Sequence, residues 1–173
     1  MPPKPRALYH GSSITGLKVI TPQNKSIRDL SEGPVVFGTP SLAFSCMFLS
    51  PRPNDSWSCK GSFNSTYYMV ISDEQRFREG DKGGIIYELP SDTFYQDLTK
   101  GMRSEWISKE DVPVRKEFDY PSTLDAMIEN GVQVYFVDQE TFQKIRTSDD
   151  HGYSIMKNST SENMKRGKNV REF

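Results

Sequence analysis

Tyr9-His10-Gly11-Ser12 closes a short apolar run near the start of the chain. It holds one of only two histidines, the other being His151 in a polar carboxy-terminal stretch. Imidazole chemistry in the apolar part of the sequence therefore falls to His10. A zinc centre needs three or four Cys, His or carboxylate ligands at close spacing. Neither a second His nor a Cys-x-x-Cys accompanies His10, so no metal set is read here. Phosphoester chemistry built on paired histidines lacks its second member. A single imidazole beside a glycine suits ligand binding: the ring offers a donor or an acceptor, and the missing Cβ lets a ligand approach the main chain.

Three further motifs follow in order: Val36-Phe37-Gly38-Thr39 with Ala43 and an aromatic helix carrying Phe44 and Phe48, then Ile85-Ile86-Tyr87-Glu88, then Ser104-Glu105-Trp106-Ile107-Ser108. In this order they resemble the ADP-ribosyltransferase superfamily, in the branch with a His–Tyr–Glu type triad that includes the poly(ADP-ribose) polymerases. Length and motif spacing are also similar to the small rifampicin ADP-ribosyltransferases. The resemblance covers roughly Ala7 to Val114. It implies an NAD-dependent mono-ADP-ribosyltransferase, with NAD as co-substrate and a protein, nucleic acid or small molecule as acceptor. His10 would bind the adenosine ribose and the Gly11 main chain the nicotinamide carboxamide, with Ser12 and Thr39 beside them in the NAD site. Phe37 would stack on the nicotinamide ring, with Phe44 and Phe48 as alternatives. Phe37 stands where the family carries Tyr, so the stacking face is kept and the phenol hydroxyl is lost. Glu105 would be the catalytic carboxylate. Asp97, downstream of Glu88-Leu89-Pro90, is the reserve, by similarity to the rifampicin-modifying branch. Arg103 stands where arginine-, asparagine- and cysteine-modifying relatives carry Gln or Glu, which points away from those acceptors.

The chemistry explains why so few groups suffice. Loss of nicotinamide from NAD passes through an oxocarbenium-like ribosyl cation, as in glycoside cleavage. An anion beside the ribose strengthens its contact as that charge develops, an effect of ~2.7–4 kcal/mol for one well-placed group. The leaving group is already cationic and needs no general acid. Each residue also has a purely structural reading. Phe37, Phe44 and Phe48 suit a core, Glu105 a solvated strand start, Asp97 a turn. Hydrolysis of NAD on the same fold, and a non-catalytic binding module that kept the scaffold, are the alternative functions.

The elements that must position these residues are short. Ala7 to Ser12, Pro34 to Phe37, Thr66 to Ile71, Ile85 to Leu89, Trp106 to Ser108 and Val132 to Val137 read as strands, and Leu17 to Ile20 as a second apolar patch ended by Pro22. Val112 to Val114 reads as pairing along the edge of Trp106 to Ser108, and Thr93 to Tyr95 as a short extension. Thr39 and Pro40 read as the cap and first residue of a helix over Ser41 to Leu49. Ser122 caps a helix ended by Gly131, and Asp138 caps another carrying Phe142 and Ile145. Pro51 to Ser65 reads as a surface loop and Asp73 to Lys82 as a charged, turn-rich connection. The sum is an α+β fold, ADP-ribosyltransferase-like, with a mainly antiparallel split sheet and a few short helices. It lacks the strand–helix alternation and the GxGxxG of a doubly wound nucleotide-binding fold.

A chain of 173 residues suits one domain, read as 1–147 with a polar, flexible tail over 148–173. The hydrophobic fraction, 35%, agrees with part of the chain lying outside the core. A net charge of −1 gives no global field to recruit nucleic acid or an anionic membrane. No apolar run or leader pattern marks a membrane span or a secretion signal. With only Cys46 and Cys59, a reducing, cytoplasmic setting is expected.

Overall fold

The computed structural model describes residues 3–23, 33–50, 57–63, 65–96, 104–150, 152–158 and 164–166. The elements run β1 (Ala7–Ser12), β2 (Val19–Ile20), β3 (Val36–Gly38), α1 (Leu42–Cys46) with a 3-10 turn at Met47–Leu49, β4 (Ser58–Phe63), β5 (Thr66–Ile71), α2 (Glu74–Gly80) and β6 (Gly84–Pro90). They continue β7 (Trp106–Ser108), β8 (Val112–Pro113), β9 (Lys116–Tyr120), α3 (Thr123–Glu129), β10 (Gln133–Val137), α4 (Gln139–Thr147), α5 (Tyr153–Asn158) and β11 (Met164–Arg166).

This is a mixed α+β fold with mostly antiparallel sheets and few helices. β1, β6 and β9 form one sheet, in which His10 faces Tyr87 and Ile86 faces Phe118. A single bridge, Tyr9 to Thr39, carries that sheet over to the antiparallel β3–β7 pair. The second sheet runs β11-β10-β5-β4, with β5 and β10 parallel. Those two strands are buried on both sides, as parallel strands usually are. Met69, Ile71, Val134 and Phe136 pack towards α1, α3 and the first sheet, while Tyr68, Val70, Tyr135 and Val137 pack on Phe142, Ile145 and Met156 of α4 and α5. A third cluster, built on Leu8, Val36, Tyr87, Leu89, Phe94 and Trp106, fills the other face of the first sheet. Full burial of a side chain such as Leu8 stabilises by about 1.5–3 kcal/mol.

Several expectations are corrected. Thr39 is not the cap of α1; Ser41 is, its hydroxyl accepting the Phe44 N–H. Thr39 uses both main-chain groups to pair with Tyr9 and so stays extended. The second half of the expected 51–65 loop is β4, a strand with few apolar residues that forms because β5 supplies its ladder. Within the expected charged connection, Asp73 caps α2 and Phe77 is fully buried. β8 pairs with β2 rather than along β7. β9, whose sequence alternates charged and aromatic residues, is a strand that the apolar pattern did not reveal. The stretch read as an uncored tail contributes α5, with buried Met156, and β11.

One carboxylate ties α3 to the loop before β6. Asp81 accepts the N–H groups of Thr123 at 2.6 Å, Leu124 at 3.0 Å and Gly83 at 3.0 Å, and the Ser122 hydroxyl at 3.0 Å. Burial pushes its carboxyl up, but the N–H groups of Leu124, Thr123 and Gly83 outweigh this and hold it below its ordinary 3.8. Gly83 sits at φ 64, and a Cβ there would run into the Tyr120 carbonyl oxygen. Asp81→Asn is expected to cost about 1–2 kcal/mol at pH 7, after allowance for partial exposure. A carboxyl held below its unfolded value stabilises the fold at higher pH and loses that effect as pH falls through its folded value. The gap between wild type and Asp81→Asn in urea unfolding should therefore be full at pH 5 and close below 3.8. A gap that does not change with pH would rule out the charge as its source.

Candidate active site

The site begins where two strands part. Tyr9 donates its N–H to the Thr39 carbonyl at 2.7 Å and accepts the Thr39 N–H at 3.0 Å. Alternate residues of an antiparallel strand turn their main-chain groups to the same side. Gly11 therefore faces the gap as Tyr9 does, and Phe37 faces it as Thr39 does. The ladder does not continue there. The His10 ring takes the Phe37 carbonyl, with Nδ1 at 2.8 Å. Val35 is drawn off to Gln23, exchanging hydrogen bonds at 3.1 and 3.3 Å. Across this gap the Gly11 N–H and C=O have no main-chain partner among the described residues. A cleft of about 450 Å³ opens between the diverging strands.

One wall is His10, Gly11, Ser12 and Ser13; the other is Val35, Val36 and Phe37. Ile14, Leu17, Val19 and Ile20 form an apolar end, and Phe48, Leu49 and Ser50 close another side. Because a carbonyl only accepts, the His10 contact fixes hydrogen on Nδ1 and makes Nε2 of the neutral ring the acceptor. Buried Tyr87 fastens the apolar end, donating to the Ile14 carbonyl at 2.7 Å and accepting the Leu17 N–H at 3.2 Å.

The structure brings His10, Gly11, Ser12, Phe37 and Phe48 into one cleft. Thr39 is buried behind it, with its hydroxyl taking the Ser41 N–H. Phe44 is packed against Phe48 and Tyr67, each at 5.2 Å between ring centres, and does not line the cleft. Phe48 is 47% exposed and has the Lys60 ammonium 3.9 Å above its ring. Glu105 is half-buried and lies just before β7, outside the cleft lining. Strand alternation puts it on the same face as Ile107 and that residue's partner Phe37, the face from which Gly11 lost its Cβ. His10 and Ser12 leave the other face, with Leu8. Asp97 lies outside the described residues.

Sequence reasoning missed Lys82, the one lysine, arginine or carboxylate side chain among the described residues lining the cleft. Its signal was the Asp81-Lys82-Gly83-Gly84 turn. Comparison with protein-family models, curated proteins and solved structures returned no match.

Neither cysteine is a candidate nucleophile. Burial, with Glu129 adding to it, pushes the Cys46 thiol up to about 12, and burial pushes Cys59 up to about 11 against the pull of Arg146. Among the described residues no cluster of His, Cys, Asp and Glu is set to hold a metal ion. No helix among them is long and apolar enough to cross a membrane.

Two outcomes follow from this geometry. In the native protein at pH 8 a disulfide thiol reagent should react with Cys59 roughly a hundredfold, and with Cys46 roughly a thousandfold, more slowly than with a free thiol, because so little thiolate is present. Prompt native labelling of either would contradict the burial described. At Gly11 an added Cβ would lie 2.6 Å from the Ser45 carbonyl, main chain that cannot swing aside. Gly11→Ala should thus lose about 1–3 kcal/mol in thermal or denaturant unfolding; an unchanged midpoint would show that α1 is not held against β1.

Proposed function

We propose that this chain is an NAD-dependent mono-ADP-ribosyltransferase related to the His–Tyr–Glu branch, with Phe37 in place of its Tyr, acting on an acceptor whose identity its residues do not specify. The reading is carried by the parting of β1 and β3. It presents an N–H and a C=O from one residue, Gly11, on an open strand edge. That donor–acceptor pair complements a primary carboxamide, which offers the reverse. Phe37 stands on the opposite wall, on the face shared with Glu105. Phe48 is the poorer stacking partner for a cationic nicotinamide, since an ammonium already lies over its ring. Nε2 of His10 suits a ribose hydroxyl as donor.

In this mechanism the bond between nicotinamide and ribose C1′ breaks with its electron pair on the leaving nitrogen, so nicotinamide departs neutral. The lone pair of the acceptor forms the new bond at C1′, and the proton of the acceptor passes to Glu105 and then to solvent. Glu105 also faces the positive charge that develops on the ribose. Reaching the ribose from the edge of β7 spans about two strand spacings, roughly 10 Å from β1. With water as acceptor the same steps release ADP-ribose.

One observation favours a binding module instead: no carboxylate lines the cleft among the described residues. A single pair of measurements separates the readings. With NAD labelled in its adenosine part and a cell extract, the wild type should leave label covalently attached. Glu105→Ala should turn over at least about a hundredfold more slowly, with NAD affinity within about threefold by calorimetry. Full turnover by Glu105→Ala would remove Glu105 from the mechanism. NAD binding with no turnover by the wild type would leave the binding module standing.

A further inference from the structure

We infer that Lys82, together with the hydroxyls of Ser12 and Ser13, forms a phosphate subsite at one end of the cleft. Its ligand would be the diphosphate of an adenosine dinucleotide, so the ligand's identity, though not the subsite, rests on the function proposed above. Three observations carry it. Lys82 is exposed and lines a cleft in which no other described lining side chain is permanently charged, so its field is not neutralised within the lining. Its main chain is held on both sides. Asp81 is locked by four hydrogen bonds, and Gly83 is wedged against the Tyr120 carbonyl at a positive φ. The ammonium therefore swings from a fixed base, which lowers the entropy lost on binding. Finally, Ser12 and Ser13 line the same cleft as Lys82, and a Cβ at Gly84, two residues past Lys82, would lie 2.7 Å from the Ser12 carbonyl oxygen, so the turn that carries Lys82 runs against the end of β1. Ser12 accepts the Ile14 N–H at 3.1 Å and keeps its own proton to donate. An ammonium and two hydroxyl donors make an anion site of the kind a phosphate oxygen takes.

The test is calorimetric titration of wild type, Lys82→Gln and Lys82→Arg with NAD, ADP-ribose, inorganic pyrophosphate and nicotinamide. Lys82 is exposed, so all three proteins should share one unfolding midpoint. ADP-ribose and NAD should each bind Lys82→Gln about tenfold more weakly. Lys82→Arg should keep most of the affinity, nicotinamide should not distinguish the variants, and the difference should shrink at high salt. A loss of pyrophosphate affinity in Lys82→Gln equal to that for ADP-ribose would identify the phosphates, not the nucleoside, as the group contacted. Equal affinity of wild type and Lys82→Gln for ADP-ribose would overturn the inference, as would no binding of any phosphate ligand. Lys82-dependent binding of ADP-ribose without binding of NAD would sustain the subsite and overturn the proposed function.

Discussion

The bridge between Tyr9 and Thr39, and its failure to extend, shapes everything around the cleft. Two main-chain hydrogen bonds hold β1 and β3 together at one point. One step further the His10 ring takes a carbonyl that the next rung of a ladder would have used. Buried main-chain groups must be satisfied, and here the Phe37 carbonyl is satisfied by a side chain and the Val35 main chain by a single bridge to Gln23. The result is a gap whose edge is built from main chain. Gly11 also leaves the space that the Ser45 carbonyl occupies.

Support for that gap is spread over distant parts of the chain. Tyr87 is buried in the first sheet, and its hydroxyl also fastens the loop at the apolar end. Asp81 fixes the turn on the opposite side by capping a helix that lies some forty positions later in the chain. Polar side chains satisfied by main chain far away in sequence hold loops in single conformations.

The parts legible in the sequence were those with strong local signals. Ser122, Asp138 and Gly131 mark their helix ends by capping chemistry, and the apolar runs at Ala7, Thr66, Ile85 and Val132 mark their strands. The parts that were not legible depend on partners. β4 is Ser-Cys-Lys-Gly-Ser-Phe and becomes a strand through β5. β9 carries its charges on a sheet edge, where they are tolerated because half of its surroundings are solvent. Of the Tyr9-His10-Gly11-Ser12 motif, the last three residues line the cleft. The Asp81-Lys82-Gly83-Gly84 signal marks a turn but not its neighbours, and only the fold brings Lys82 into the cleft lining.

The order of strands along the chain has a consequence for how the protein is made. β5 and β10 are parallel partners, and between them the chain lays down α2, β6, β7, β8, β9 and α3, none of which belongs to their own sheet. During synthesis β5 therefore leaves the ribosome with one flank already matched to β4 and the other bare until β10, about sixty positions later, has emerged. An apolar strand waiting with an open flank is the usual starting point for association between nascent chains. Neither sheet corresponds to a contiguous stretch of sequence, so a cut between them yields two incomplete sheets rather than two smaller proteins.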